Sequence, residues 1–168
     1  MTSIVGKKYR SCVAGGLLVA LPLLTAGCYR ATGGGWIPSI RGADRARFSF
    51  SAMCRDVTQP DGSRVAALYD GQLEWDDGPV RFHGNVEPIE LRTVRCQDVR
   101  QELMSPGMEF SGTYQPKDGG ASGSFTVDVL DVGTPGANGD AIYINLVGGE
   151  FFPYENFGVL QGGNIVVF

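Results

Sequence analysis

The sequence predicts an all-β protein, an antiparallel β-sandwich of the immunoglobulin-like or jelly-roll-like kind with eight or nine strands, preceded by a signal peptide. After residue 27, apolar residues recur with the period of two that is typical of half-buried strands. Many of the 25 glycines separate these short apolar runs, as they do in all-β proteins. No amphipathic stretch of helix length follows residue 27, which argues against the alternating helices of a parallel α/β fold.

The first 27 residues have the composition of an export signal. Lys7, Lys8 and Arg10 give a basic start without any acidic residue, and residues 12–24 carry no charge. A basic start, a short apolar run and small residues at the exit are typical of a secretory signal peptide. Because a membrane-spanning helix needs roughly 20 apolar residues, we favour a cleaved signal over a permanent transmembrane anchor.

The stretch Leu24-Thr25-Ala26-Gly27-Cys28 resembles the lipobox of bacterial lipoproteins, although Thr25 stands where leucine is more usual. The resemblance implies a diglyceride on the Cys28 thiol, cleavage after Gly27, and acylation of the new amino terminus by a fatty acid such as palmitate. Each buried methylene contributes about 0.8 kcal/mol, so two or three chains anchor a protein durably. The alternative is ordinary cleavage that leaves Cys28 free or in a disulfide.

These features divide the chain into a signal peptide at 1–27, a glycine-rich tether at 28–43 and a β-sandwich domain at 44–168. The tether contains Gly33-Gly34-Gly35, which we interpret as a flexible spacer. The predicted location is the extracytoplasmic side of a bacterial cell membrane or outer membrane, with the membrane itself as one partner.

The charge of the exported part restricts its partners. Without the three basic residues of the signal, the chain has 11 basic and 18 acidic residues, so its net charge is −7. Nucleic-acid binding needs a basic footprint, so no nucleic-acid partner is expected. No cofactor is predicted either, and the remaining partner classes are another envelope protein or a glycan.

The domain itself is predicted as strands separated by turns. The predicted strands are 47–54, 65–75 (one or two strands, interrupted at Asp70-Gly71), 80–86, 89–99, 108–114, 124–130, 141–147 and 164–168. The predicted turns and loops are 60–63, 76–79, 116–120 and 133–139, all rich in Asp, Gly and Pro. The apolar run 165–168 predicts a last strand covered on both faces, with Gly162-Gly163 as the preceding turn.

Two cysteines remain once the signal and the lipobox are set aside. Cys54 and Cys96 both lie in predicted strands, and an exported chain meets conditions in which disulfides persist. A bond between them would close a loop of about 43 residues and stabilise the fold by ~4 kcal/mol on the chain-entropy model. The alternative is a pair of buried free thiols.

Several short segments resemble the post-COAP family of bacterial exported β domains. The resemblance implies a secreted β domain without established catalysis, and this chain departs from it by its cysteine pair and its final Phe168. The segments that carry the resemblance are Gly33-Gly34-Gly35-Trp36-Ile37, 46–50, Val80-Arg81-Phe82-His83-Gly84, 127–136 and Leu160-Gln161-Gly162-Gly163-Asn164-Ile165.

Glu74, Asp76 and Asp77 surround Trp75, and Tyr69 lies shortly before them. Glycosidases use two carboxyl groups roughly 5–10 Å apart, and an aromatic ring beside them suits a sugar. A tight hairpin uses the same Asp-Asp-Gly sequence, however, and we prefer the turn.

Oxygen ligands recur at Asp128, Asp131, Asn138 and Asp140, near glycines. Calcium takes six to eight oxygens, but the spacing does not fit an EF-hand, so these residues are calcium candidates only and no metal is predicted. His83 has no second histidine to form the usual metal site, and we expect it to face solvent from a strand.

The leading hypothesis is therefore a non-enzymatic, lipid-anchored envelope domain with a structural or binding role. The alternative is a carbohydrate-binding or carbohydrate-active surface protein that uses Trp75, Tyr69 and the nearby carboxylates, in which case glycoside hydrolysis is the enzyme class to test.

Overall fold

The computed structural model describes residues 28–58, 64–87, 107–133 and 139–168. Within these ranges no helix is long and apolar enough to cross a membrane. The predicted signal peptide, the predicted turn at 60–63 and the predicted strand at 89–99 lie outside them. The described strands are β1 (Cys28–Ile37), β2 (Ala46–Thr58), β3 (Arg64–Asp77), β4 (Val80–Val86), β5 (Gly107–Pro116), β6 (Gly123–Leu130), β7 (Ala141–Val147), β8 (Tyr154–Val159) and β9 (Gly162–Val167).

All nine strands belong to one antiparallel sheet with the order β8-β7-β6-β5-β4-β3-β2-β1-β9. The prediction of an all-β antiparallel fold is therefore confirmed. The described strands do not form the predicted two-sheet sandwich, because from β1 to β8 each one pairs with its neighbour in sequence and none crosses to a second sheet. The sheet instead curls into a half-barrel.

The curl follows from the link between the two edge strands. β8 and β9 lie at opposite edges of the sheet, yet only Leu160 and Gln161 separate them in sequence. The Leu160 N–H donates to the Asp140 carbonyl at 2.8 Å, and the Gln161 N–H donates to the Trp36 carbonyl at 3.0 Å. The two edges thus come together at this link, and we call the region where the link contacts Trp36 and Asp140 the seam.

The inner face of the curled sheet holds the core. Alternate residues point inward in β4 and β8, and rings stack across neighbouring strands, as Phe48 and Trp75 do with centroids 6.1 Å apart. Among the described residues, the largest fully buried side chains are Ile37, Leu73, Trp75, Phe82, Met108, Phe110, Tyr114, Phe125, Ile142, Ile144, Leu146 and Tyr154.

The predicted tether is the main error of the sequence analysis. Residues 28–37 form β1, which pairs with both β2 and β9 and so lies inside the sheet. A Cβ on Gly33 would lie 2.8 Å from the Phe50 ring, and a Cβ on Gly35 would collide with the Gly162 carbonyl oxygen. The triglycine therefore allows close packing and is not a flexible spacer.

Replacing Gly35 by alanine should lower the melting temperature strongly. The new methyl group would overlap backbone atoms of β9, and overpacking of this kind typically costs 1–3 kcal/mol. The matched control is Gly34→Ala, because a Cβ there meets its nearest atom at 3.5 Å, an ordinary contact. If thermal denaturation shows equal, small changes in both variants, the segment is a tether after all.

The hairpin between β3 and β4 agrees with the predicted turn at 76–79. Asp77 pairs with Val80, and Gly78 adopts a φ of 63°, in the left-handed region that favours glycine. The predicted interruption at Asp70-Gly71 is wrong, since β3 is continuous there. A Cβ on Gly71 would collide with the Ser51 carbonyl oxygen, so this glycine serves close strand packing.

The last strand is confirmed as a paired strand, but its predicted burial on both faces is wrong. Ile165 is 1% exposed and belongs to the core, whereas Phe168 is 61% exposed. Gly162 and Gly163 lie within β9 and do not form the turn, which is made by Leu160 and Gln161.

Candidate functional site

A group of buried polar side chains lies at the end of β3, where β8 meets the connection between β1 and β2. Asp77 ends β3 and is fully buried, and Tyr154 and Asn156 point inward from β8 with 2% exposure each. Together with Trp75 and Ser39 they form what we call the seam cluster.

The seam cluster is a chain of hydrogen bonds that ends on one carboxylate. The Trp75 indole N–H donates to the Tyr154 hydroxyl at 2.9 Å, and that hydroxyl donates to Asp77 Oδ2 at 2.7 Å. The Ser39 hydroxyl donates to Asp77 Oδ1. Three separate parts of the chain, namely β3, β8 and the β1–β2 connection, are therefore held to the same side chain.

Two further properties describe the electrostatics of this cluster. Burial, reinforced by the hydrogen bond to Asp77 and its negative charge, raises the pKa of Tyr154 far above its usual range, so the phenol stays a neutral donor. The Asn156 amide group donates to the Pro38 carbonyl at 3.3 Å, while its Oδ1 is buried without a hydrogen-bond partner.

Alkaline pH should therefore lower the stability of the fold through ionisation of the Tyr154 phenol in the unfolded state. The unfolded chain loses this proton near the usual tyrosine pKa of about 10, whereas the folded chain keeps it. The unfolded state then binds fewer protons, so the free energy of unfolding should fall above about pH 10, by up to about 1.4 kcal/mol per pH unit.

The Tyr154→Phe variant separates this effect from the loss of hydrogen bonds. It should be less stable than the parent at neutral pH, because Asp77 loses a donor and Trp75 loses an acceptor. Its free energy of unfolding, measured with denaturant on either side of about pH 10, should nevertheless fall less steeply. Parallel pH profiles of parent and variant would contradict the assignment.

A surface cavity of about 520 Å³ adjoins the seam cluster. Arg41 spans the two, since its Nη2 donates to the Pro153 carbonyl at 3.0 Å and its guanidinium carbon lies 5.4 Å from the centre of the Tyr154 ring. The wall of the cavity thus combines a cation, a carboxylate and apolar rings. The lining residues are Arg41, Pro79, Val80, Glu150, Phe151, Phe152 and Pro153.

The cavity lies at the end of the sheet opposite Cys28. Arg41 follows the end of β1, and Pro79 belongs to the β3–β4 turn. This turn lies beside the same end of β1, because Trp36 pairs with Arg47 and Arg47 pairs with Asp76, the residue next to Asp77 at the end of β3. β1 has 10 residues, so at about 3.3 Å per residue the two ends of the sheet are roughly 30 Å apart.

The structure does not assemble the predicted carbohydrate site. Trp75 is fully buried in the core and offers no surface to a sugar, so the interpretation as an exposed platform is wrong. Glu74 and Asp76 alternate with Trp75 along β3 and lie on the outer face of the sheet. Tyr69 also lies in β3, opposite Cys54 in the register.

His83 lies half-exposed on the outer face of β4, as expected for a strand residue that faces solvent. Its Nδ1 is 2.6 Å from Glu74 Oε1, and Lys117 Nζ is 2.6 Å from the other oxygen of Glu74. Partial burial acts to raise the pKa of Glu74, but the hydrogen bonds from Lys117 and His83 outweigh it, and the pKa lies below its usual range. Exposed ion pairs of this kind contribute about 0–1 kcal/mol to stability.

The calcium candidates have other partners where the structure describes them. Asp140 is fully buried, and its two oxygens accept the N–H groups of Val132 at 3.0 Å and Ile165 at 2.8 Å. Asp131 accepts the Val167 N–H at 3.1 Å.

Of the other two calcium candidates, Asp128 lies on the sheet opposite Tyr143, and Asn138 is outside the described residues. Across the ranges that the structure covers, no group of three or more His, Cys, Asp or Glu residues is placed to hold a metal ion.

The cysteines are located by the sheet register. Cys28 is the first residue of β1, opposite Arg55, and Cys54 lies in β2 opposite Tyr29. Cys96 lies outside the described residues, so the Cys54–Cys96 disulfide stays a prediction.

Sequence reasoning missed Asp77 and Tyr154 as partners. One signal was present, because Asp77 follows Trp75 by two residues and a strand places such residues on the same face. A buried aspartate on the core face needs donors, and these come from distant parts of the chain: Ser39 precedes Asp77 by 38 positions, and Tyr154 follows it by 77.

Comparison with known proteins adds no relative: no family model, no curated protein and no solved structure matches this chain.

Proposed function

We propose that this chain is an exported lipoprotein whose half-barrel domain is held at the bacterial envelope by lipid on Cys28. The observation that supports the proposal best is the lipobox-like stretch that ends at Cys28. Residues 28–37 pair with β2 and β9, so cleavage before Cys28 would leave these pairings in place.

The proposed role of the domain is binding and not catalysis. Among the residues that the structure describes, Asp77 and Asp140 are fully buried carboxylates, and both accept hydrogen bonds that link distant strands, so their oxygens are engaged in the fold and closed to solvent. The cavity beside Arg41 is a concave surface open to a ligand. It lies at the end of the sheet away from Cys28 and would therefore face outward from the membrane.

Replacing Cys28 by serine should move the protein from the detergent phase to the aqueous phase of a Triton X-114 partition, and should abolish incorporation of radioactive palmitate. The physical reason is the loss of two or three acyl chains, each with many methylenes worth about 0.8 kcal/mol. Cys54→Ser is the matched control, because it removes a thiol from β2 and leaves the predicted anchor. Unchanged membrane retention and labelling of Cys28→Ser would refute the proposal.

A further inference from the structure

The cavity beside Arg41 has one cation and one anion in its wall. Arg41 lies at one end of the segment 150–153, where its Nη2 donates to the Pro153 carbonyl at 3.0 Å. Glu150 is the other end of that segment, and its Oε2 would be 3.0 Å from a Cβ on Gly120, so the carboxylate lies against the β5–β6 connection. Three residues of backbone span at most roughly 11 Å. The two charges therefore flank one short stretch of wall.

Neither of these charges has an opposite partner in the fold. In the part of the chain that the structure describes, Arg41 and Glu150 take part in no ion pair. A guanidinium has five N–H donors, and the structure gives that of Arg41 one acceptor, the Pro153 carbonyl. Other charged side chains nearby are already paired, namely Arg81 with Asp118 at 2.7 Å and Lys117 with Glu74 at 2.6 Å.

The wall between the two charges is apolar and held in place. The Phe151 ring stacks on Tyr114 with centroids 5.8 Å apart, and the Phe151 N–H donates to the Tyr114 hydroxyl at 3.3 Å. Phe152 is 58% exposed, so its ring is available to a ligand. The volume of about 520 Å³ lies within the range of about 300–1,000 Å³ that is usual for small-ligand sites. A wall whose shape is set before binding loses little conformational freedom when a ligand arrives.

We infer that this cavity binds a zwitterion with an apolar body, which is the chemistry of a short apolar peptide or of a free apolar amino acid. The ligand carboxylate would meet the Arg41 guanidinium, whose N–H groups can form charge-assisted hydrogen bonds with it. The ligand ammonium group would meet the Glu150 carboxylate, and the apolar side chains would cover the Phe152 ring. This inference rests on the proposed binding role and adds the class of ligand.

The charges of the wall favour this class over ligands of other kinds. A purely anionic ligand would be repelled by Glu150, and a purely cationic one would be repelled by Arg41. An uncharged apolar ligand would take water from both charged groups without replacing its hydrogen bonds, which is costly. A zwitterion with an apolar body satisfies the cation, the anion and the rings together.

Peptides that differ only at their ends test the assignment. Trileucine with free ends, its N-acetylated form, its C-amidated form and the doubly capped form would be titrated into the purified full-length protein by isothermal titration calorimetry, with a titration into detergent alone subtracted. Each single cap should weaken binding roughly tenfold, the loss expected when one charged hydrogen bond is removed. Triglycine is the control for the apolar wall, because it has the same charged ends without side chains, and it should bind more weakly than trileucine.

Two variants assign the charges to their residues. Arg41→Gln should weaken the binding of trileucine roughly tenfold and leave that of the C-amidated form unchanged, and Glu150→Gln should do the same with respect to the N-acetylated form. Arg45→Gln is the matched control and should bind trileucine like the parent. Arg45 is an exposed arginine of the same β1–β2 connection, its guanidinium carbon lies 4.8 Å from the centre of the Trp36 ring, and it does not line the cavity. If a variant melts below the parent, the capped peptides on the parent protein decide.

The outcomes separate the ligand class from the rest of the proposed function. If both caps weaken binding and each loss disappears in the matching variant, the inference is supported, and the tighter of trileucine and free leucine identifies the source. If the doubly capped peptide binds as tightly as trileucine, or only one cap matters, the binding role stands and the ligand class is wrong. If neither trileucine nor leucine binds, the inference is wrong. Absence of lipid on Cys28 would refute the anchor and leave the titrations unaffected.

Discussion

Replacing Asp140 by alanine should lower the free energy of unfolding by about 2–6 kcal/mol, because two backbone N–H groups lose a charged acceptor and each such loss costs about 1–3 kcal/mol. Those N–H groups belong to Val132, which follows β6, and to Ile165 of β9. The Asp140 carboxylate is fully buried, so water cannot replace it without opening the seam. Urea denaturation of the purified protein measures the change.

The matched control for this variant is Asp118→Ala. Asp118 also accepts a short hydrogen bond, from Arg81 at 2.7 Å, but both side chains are exposed. Removing an exposed ion pair should change stability by less than about 1 kcal/mol. Equal stability loss in the two variants would mean that Asp140 does not hold the seam.

Deleting residues 165–168 should leave the protein unfolded or aggregated. The deletion removes the buried Ile165 side chain, leaves residues 31–33 of β1 without their β9 partners, and takes away the Ile165 N–H from Asp140 and the Val167 N–H from Asp131. Burial of one large apolar side chain is worth about 1.5–3 kcal/mol, and the whole stability of a domain is only about 5–15 kcal/mol.

Deletion of Phe168 alone is the control for this experiment. That residue is 61% exposed, so its removal should shift the melting temperature only slightly. If the variant that lacks residues 165–168 unfolds cooperatively at the melting temperature of the parent, β9 does not support the sheet. A deletion of residues 31–35, which a tether would tolerate, should instead be as damaging, since those residues pair with two strands.

Strands with apolar inward and polar outward residues were predictable from the sequence. The predictions for 80–86 and 141–147 agree with β4 and β7 residue for residue. β8 was missed because its polarity is inverted: Asn156 and Gly158 face the core while Phe157 and Val159 face solvent. β1 was missed because three successive glycines look flexible when the strands that pack against them are unknown.

The candidate site was less predictable, because its contacts join distant parts of the chain. Asp77 was interpreted as a turn residue and Asp140 as a calcium candidate, and both interpretations rest on neighbours in sequence. Their actual partners, Tyr154 and Ile165, become neighbours only when the sheet curls and β8 meets the seam. Trp75 shows the same limit, since the burial that excludes a sugar from its ring comes from distant strands.

Intact mass spectrometry of the protein extracted from membranes tests the lipid-anchored domain most directly. The account predicts one species that starts at Cys28 and carries the added mass of a diglyceride, with or without a further acyl chain. Fragmentation should place that mass on the first residue. A chain that keeps residues before Cys28, or one that starts at Cys28 with an unmodified thiol, would contradict it.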